Sequence, residues 1–225
     1  MESAVLLEVL ATTLRVAACA LLVAAPCGIA AGWWLSRRHF PGKSLVETFL
    51  AMPLVLPPVA VGYMLLALFA RDGWLGEEAL GFDPGVLFTW KGAVLASAAM
   101  ALPLVARTAR TAFDGVDPRL ESMARSAGLS PWRVHWRVTL PLARRGLVAA
   151  CVLGFGRALG EFGATVVVAG NIPGRTQTIA LAIFSEIQLG HGEAALRLVA
   201  IVAAAAFVLL WWVEKLQGAA GRDQR

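Results

Sequence analysis

Apolar runs of about twenty residues, the length a helix needs to cross a hydrocarbon layer, alternate along the chain with short charged stretches. Five runs qualify, at 12–35, 49–70, 86–106, 146–169 and 194–213. A sixth stretch, 178–189, is shorter and carries Ser185, Glu186 and Gln188. The pattern predicts for it a non-spanning or re-entrant helix, shielded by protein rather than by lipid. The expected fold class is an all-α integral membrane protein with about five transmembrane helices in one domain over 1–225. Prolines recur in the runs, at Pro26, Pro53, Pro57, Pro58 and Pro103. Each removes a backbone donor, so bent helices held by their neighbours are expected.

Composition agrees: 58% of residues are apolar and 16% charged, with a mean hydropathy of +0.69, far from the balance of a soluble domain. The net charge of +5 could suggest nucleic acid, but the basic residues are placed as topology signals. With the N-terminus outside, fourteen of the 20 basic residues fall in 36–48, 107–145 and the tail from Glu214 through Lys215, Arg222 and Arg225. Outside remain only Arg71 and Arg175, and the 71–85 loop is acidic. The positive-inside rule then puts the C-terminus in the cytoplasm and accounts for the basic residues without a nucleic-acid partner. Glu2 and Glu8 precede the first apolar run without a basic stretch, which argues against a cleaved secretory signal. Cys19, Cys27 and Cys151 lie in apolar runs without ligand spacing and read as small hydrophobes.

The long polar stretch 107–145 therefore lies at one membrane face. Asp117-Pro118 is a helix start, an N-cap carboxylate followed by proline at the first helical position. Leu120, Met123, Ala124 and Ala127 follow on one face, Gly128 is a stop, and Ser130-Pro131 begins a second short helix. Two short arginine-bearing helices at an angle would form a rigid knob for a partner to grip. The same surface could instead lie on anionic headgroups.

The spacing is specific. Gly128 is followed by nine residues and then Val138-Thr139-Leu140-Pro141, and preceded by Ser122-Met123-Ala124. This resembles the cytoplasmic loop of ABC importer permeases: Glu-Ala-Ala, three residues, Gly, nine residues, Ile-x-Leu-Pro. Ser122 and Met123 depart from that pattern, and Glu121 lies one residue upstream. The resemblance extends to Phe40-Pro41-Gly42-Lys43, Met52-Pro53-Leu54-Val55-Leu56-Pro57-Pro58, Leu159-Gly160-Glu161-Phe162-Gly163 and Gly170-Asn171-Ile172-Pro173-Gly174-Arg175-Thr176. These strings look like the molybdate permease branch of the binding-protein-dependent importers; sulfate and tungstate permeases share parts of them. The resemblance implies a type I ABC importer permease fold. It also implies a coupling loop at Glu121, Ser122, Met123, Ala124, Gly128, Val138, Leu140 and Pro141 that docks in a separate ATPase subunit.

In the fourth run, Arg157 and Glu161 are spaced to pair. Charges at such depth cost a few kcal/mol each, so they face protein or water. A structural pair and a direct role in an oxyanion path or proton relay are the alternatives. Gly156, Gly160 and Gly163, with Gly154, allow close helix packing within or between subunits. Arg15 and Arg197 are expected to pair or snorkel. Gly42-Lys43-Ser44 has Arg37 where a phosphate loop needs glycine, and His39, His135 and His191 are scattered as loop residues without metal spacing. No catalytic constellation is present.

The resemblance implies a non-catalytic subunit of a bacterial inner-membrane importer for molybdate. It would work as a homodimer with two ATPase subunits, which would hold ATP and Mg, and with an extracytoplasmic oxyanion-binding protein. No cofactor is expected in this chain. The alternatives are a sulfate or tungstate permease, an ion-coupled secondary transporter, and a membrane-anchored scaffold.

Overall fold

The computed structural model describes residues 3–222; Glu2 and Arg225, used above for topology, lie outside them. Every regular element among the described residues is helical. In chain order these are α1 (Ser3–Arg37), α2 (Lys43–Val55), α3 (Pro58–Phe69), α4 (Glu77–Leu80), α5 (Trp90–Asp114), α6 (Pro118–Ser126), α7 (Pro131–Val134), α8 (Leu140–Leu159), α9 (Gly163–Ala169), α10 (Ile179–Gln188) and α11 (Gly192–Arg222). A π-helical turn, His135–Thr139, joins α7 to α8.

Among the described residues, four helices are long and apolar enough to span a bilayer, or five if the bent pair α2–α3 is one crossing. Helix α5 is the hub. Two-thirds (67%) of its most apolar window is buried, against 11% for α11. Its neighbours come close because their contact faces are small. A Cβ on Gly32 would lie 2.7 Å from the Ala106 carbonyl oxygen, one on Gly28 2.9 Å from Val105 Cγ1, and one on Gly154 would overlap Val105 Cγ2. Lipid gives helices no hydrophobic drive to associate, so this backbone proximity is what holds α1, α5 and α8 together. Alanines fill the α1–α5 seam: Ala17, Ala20, Ala24, Ala93 and Ala101 are fully buried.

Two of the predicted crossings are interrupted. The 49–70 run is two helices bent by 108°. Leu56 ends α2 in an extended conformation, φ −64° and ψ 142°, which the following proline enforces, and Pro58 opens α3 at its first turn. The 146–169 run stops being helical at Gly160 and resumes at Gly163, so its last turns are the separate short helix α9 packed on α3. That contact is also built on glycine: a Cβ on Gly62 would sit 2.8 Å from Ala164 Cα, and one on Gly163 2.8 Å from Pro58 Cβ. Gly62→Val is therefore expected to cost about 1–3 kcal/mol by overpacking. The check is the Tm of the detergent-purified protein, and an unshifted Tm would contradict the contact. Segment 178–189 forms the ten-residue α10, about 15 Å long and too short to cross. It packs on α11 and the start of α1.

Candidate coupling elbow and membrane charge pair

Helix α6 begins as its sequence dictates. Asp117 Oδ1 accepts from the Arg119 amide at 2.8 Å, with Pro118 behind it at the first helical position. It ends on Gly128, whose φ of +87° places it in the left-handed region. The Gly128 amide donates to Arg125 O at 2.9 Å and the Leu129 amide to Ala124 O at 3.2 Å, the paired closure of a Schellman motif. A side chain at 128 would meet nothing within 4 Å, so glycine is required there by conformation. Gly128→Val is expected to cost about 1–2 kcal/mol and to lower substrate uptake several-fold at unchanged membrane abundance. Gly128→Asn, which tolerates that backbone, should do less harm. Equal uptake in the two variants, read by vesicle assay and immunoblot, would count against the turn.

The second arm of the elbow corrects an expectation. It is no short free-standing helix: the chain from Pro131 runs through the π-helical turn directly into α8, giving one 29-residue helix to Leu159. Proline within a helix clashes with the carbonyl four residues back, which for Pro141 is that of Arg137. The turn just before it is widened, with the Leu140 amide donating to His135 O, and the helix continues. The elbow is thus one end of a membrane-length helix, and a displacement of α6 has a stiff path into α8.

Glu121 holds the two arms together. The residue is 8% exposed. Its Oε1 accepts from Arg37 Nη2 at 2.6 Å and from Thr139 Oγ1 at 2.7 Å. One carboxylate therefore ties α6 to the last residue of α1 and to the π-helical turn. Ser122 turns back to donate to Pro118 O, and Ala124 is half-buried. Leu120 and Met123 point away from the protein, 44% and 69% exposed. The predicted apolar face therefore exists but is turned outward, because the interior side of α6 is taken by the Glu121 network. Val138 and Leu140 are half-buried where the helix enters the bundle, and Pro141 is exposed. His135 is another correction: it is a helical residue wedged against Trp33 (ring centroids 5.0 Å apart), Trp132 and Trp136.

The second cluster lies at the break after α8. Arg157 Nη1 donates to Glu161 Oε2 at 2.6 Å, and Glu161 Oε1 accepts from the Ala164 amide at 2.8 Å. The Glu161 side chain is 1% exposed and that of Arg157 27%. Both carboxylate oxygens are therefore used, one neutralising the arginine and one satisfying an orphan donor in the first turn of α9. Gly160 ends α8, so the pair spans a helix end instead of two turns of one continuous helix. Among the described residues Gly156 faces only Leu209 Cδ1, at 3.8 Å, and Gly160 only the Gly156 carbonyl; neither makes a close approach to another helix there, unlike Gly163. Arg15 stacks on Trp90, 4.0 Å from the ring centroid, and Arg197 Nε reaches Glu193 O at 3.4 Å. Sequence reasoning missed Arg37, Thr139 and Ala164 as partners. No local pattern signals a pairing across 84 positions.

Relatives of known identity share this chain over most of its length. The molybdenum transport system permease protein ModB of Escherichia coli K12 is 46% identical over 200 residues, covering 88% of this chain and 87% of the relative. ModB of Haemophilus influenzae is 44% identical over 218 residues, covering 93% and 94%. The sulfate transport system permease protein CysT of Escherichia coli K12 is 35% identical over 195 residues, covering 87% and 70%. Among solved structures, a bacterial alginate ABC transporter superposes with a TM-score of 0.73 at 17% identity, over 93% of this chain and 77% of that one. The MetNI methionine ABC transporter gives 0.67 at 16%, over 97% and 99%. These two share the fold, that of the type I ABC importer permeases. Residues 24–219 match the family described as binding-protein-dependent transport system inner membrane component, and the chain is a multi-pass inner-membrane protein of that family.

Proposed function

We propose that this chain is the membrane-spanning subunit of an ATP-driven importer that moves molybdate into the cytoplasm. The observation that carries the reading is the 46% identity to the molybdenum permease ModB over nearly the whole chain, against 35% to the sulfate permease CysT. The elbow supplies the means. An ATPase subunit would seat on the outward Leu120–Met123 face of α6, and its closure would push α6 and, through Glu121 and the π-helical turn, α8. Two copies of the chain would pair about a two-fold axis with two ATPases, so that closure draws the two elbows together and switches the pathway from inward-facing to outward-facing. An extracytoplasmic oxyanion-binding protein would deliver the substrate. The N-terminus would lie outside and the C-terminus inside, which the distribution of basic residues supports.

The Arg157–Glu161 pair is a brace in this reading. Glu161 is saturated by two donors, and a carboxylate aimed at a dianion would repel it. The test is uptake of labelled molybdate into vesicles holding the chain, its ATPase and its binding protein. Uptake should require ATP and be displaced by excess molybdate. Uptake without ATP would indicate ion coupling, and uptake of sulfate that molybdate does not displace would indicate a sulfate permease; either result overturns the proposal.

A further inference from the structure

The elbow encloses a cleft of about 390 Å³ on the side of α6 opposite its exposed Met123, between α6, the start of α7 and the last turn of α1. Trp33, Trp34, Arg37, Arg38, Arg125 and His135 line it. We propose that this cleft binds the headgroup of an anionic phospholipid.

The first argument is charge. Arg37 is neutralised by Glu121 at 2.6 Å. Arg38 has no ion-pair partner among the described residues, and Arg125 reaches Glu121 only at 4.0 Å with its side chain half exposed, at 52%. The cleft is left with one cationic group, Arg38, unpaired among the described residues, and a second, Arg125, that is only loosely paired. The second argument is depth. Trp33 and Trp34, 37% and 41% exposed, line the cleft, and Trp132 and Trp136, 69% and 51% exposed, pack on its His135. Indole rings with an apolar body and a polar N–H settle at headgroup level. Arg37, the last residue of α1, and Arg38 follow the two tryptophans after Leu35 and Ser36, the order in which a membrane helix leaves the hydrocarbon and meets phosphate. A basic pocket between membrane helices at this depth is matched by a lipid phosphate with its glycerol against the indoles. A soluble anion would have no use for the aromatic rim. The ATPase reading uses the opposite face of α6, through Leu120 and Met123, so the two surfaces are distinct. The inference does not depend on which oxyanion is carried.

The experiment is native mass spectrometry of the full chain in complex with its ATPase, titrated with phosphatidylglycerol or phosphatidylcholine. One phosphatidylglycerol should be retained in preference to phosphatidylcholine. Each arginine near a membrane surface favours an anionic lipid by about fivefold, so the double variant Arg38→Gln/Arg125→Gln should weaken that one site about 30-fold, while Arg71→Gln, in the opposite loop, should leave it unchanged. A second readout needs no substitution: phosphatidylglycerol brominated next to the headgroup should quench tryptophan fluorescence more than the brominated phosphatidylcholine. Equal retention by the parent and the double variant would overturn the proposal, as would displacement by millimolar inorganic phosphate. Loss of the ATPase from the double variant with lipid retained would assign the cleft to the protein partner instead.

Discussion

Glu161→Leu is expected to remove nearly all correctly folded protein from the membrane. The substitution strands the Arg157 guanidinium inside a membrane bundle and frees the Ala164 amide, a buried donor that then has no partner. Removing one member of a buried ion pair costs about 3–5 kcal/mol, and an unmade buried hydrogen bond adds about 1–3 kcal/mol. Together they approach the whole stability of a marginally stable domain, about 5–15 kcal/mol. The double variant Arg157→Leu/Glu161→Leu should recover much of the lost abundance, since hydrophobic residues of similar volume replace buried pairs at little cost. This cycle also separates the two roles that the sequence leaves open. A brace predicts a double variant that is folded and still transports at a reduced rate. A direct part in substrate or proton movement predicts one that is folded and inactive. Monodisperse yield on gel filtration and uptake in vesicles are the two measurements.

The second large effect is expected at Glu121. Its carboxylate is the one group that contacts α6's two supports at once, Arg37 on α1 and Thr139 on the π-helical turn. Glu121→Gln keeps the shape and a weak bond but removes the charge. Two charge-assisted or charged-group bonds at about 1.5–3 kcal/mol each are weakened, in a site only 8% exposed. Uptake is expected to fall by about tenfold or more while the partner ATPase still binds and hydrolyses ATP, because the docking face stays while the link into α8 loosens. Glu121→Asp, with charge but a shorter reach, should lie between. Parallel loss of ATPase binding and uptake would show instead that Glu121 touches the ATPase directly, as the family loop pattern suggests for the neighbouring position.

The membrane-length helices were legible in the sequence because lipid imposes one length and one polarity on any helix that spans it, and the start of α6 because Asp117-Pro118 has few other uses. Chain punctuation was legible only in part. Prolines 57 and 58 do break the second crossing, but Pro141 does not break the elbow, since a wider turn absorbs the clash that a regular helix could not. Gly160 and Gly163 both signal close packing when read as spacing; in the fold Gly163 makes that approach, at the start of α9 against Pro58, whereas Gly160 ends α8. Least legible were the pairings. The outward turn of Leu120 and Met123 follows from Glu121 facing Arg37, and nothing near residue 121 points to residue 37.

The central claim, that a separate ATPase grips the outward face of α6 and drives the membrane helix behind it, is tested most directly by cross-linking from that face. A photoactivatable group is attached at Met123→Cys in membranes holding the chain and its ATPase, with the native cysteines, all within α1 and α8, replaced by serine. The account predicts a cross-link to the ATPase that changes in yield when ATP is bound, and none from the same group at Gly81→Cys in the opposite loop. Cross-links from position 123 to phospholipid alone, or labelling of that position by an impermeant reagent added from outside the cell, would contradict it.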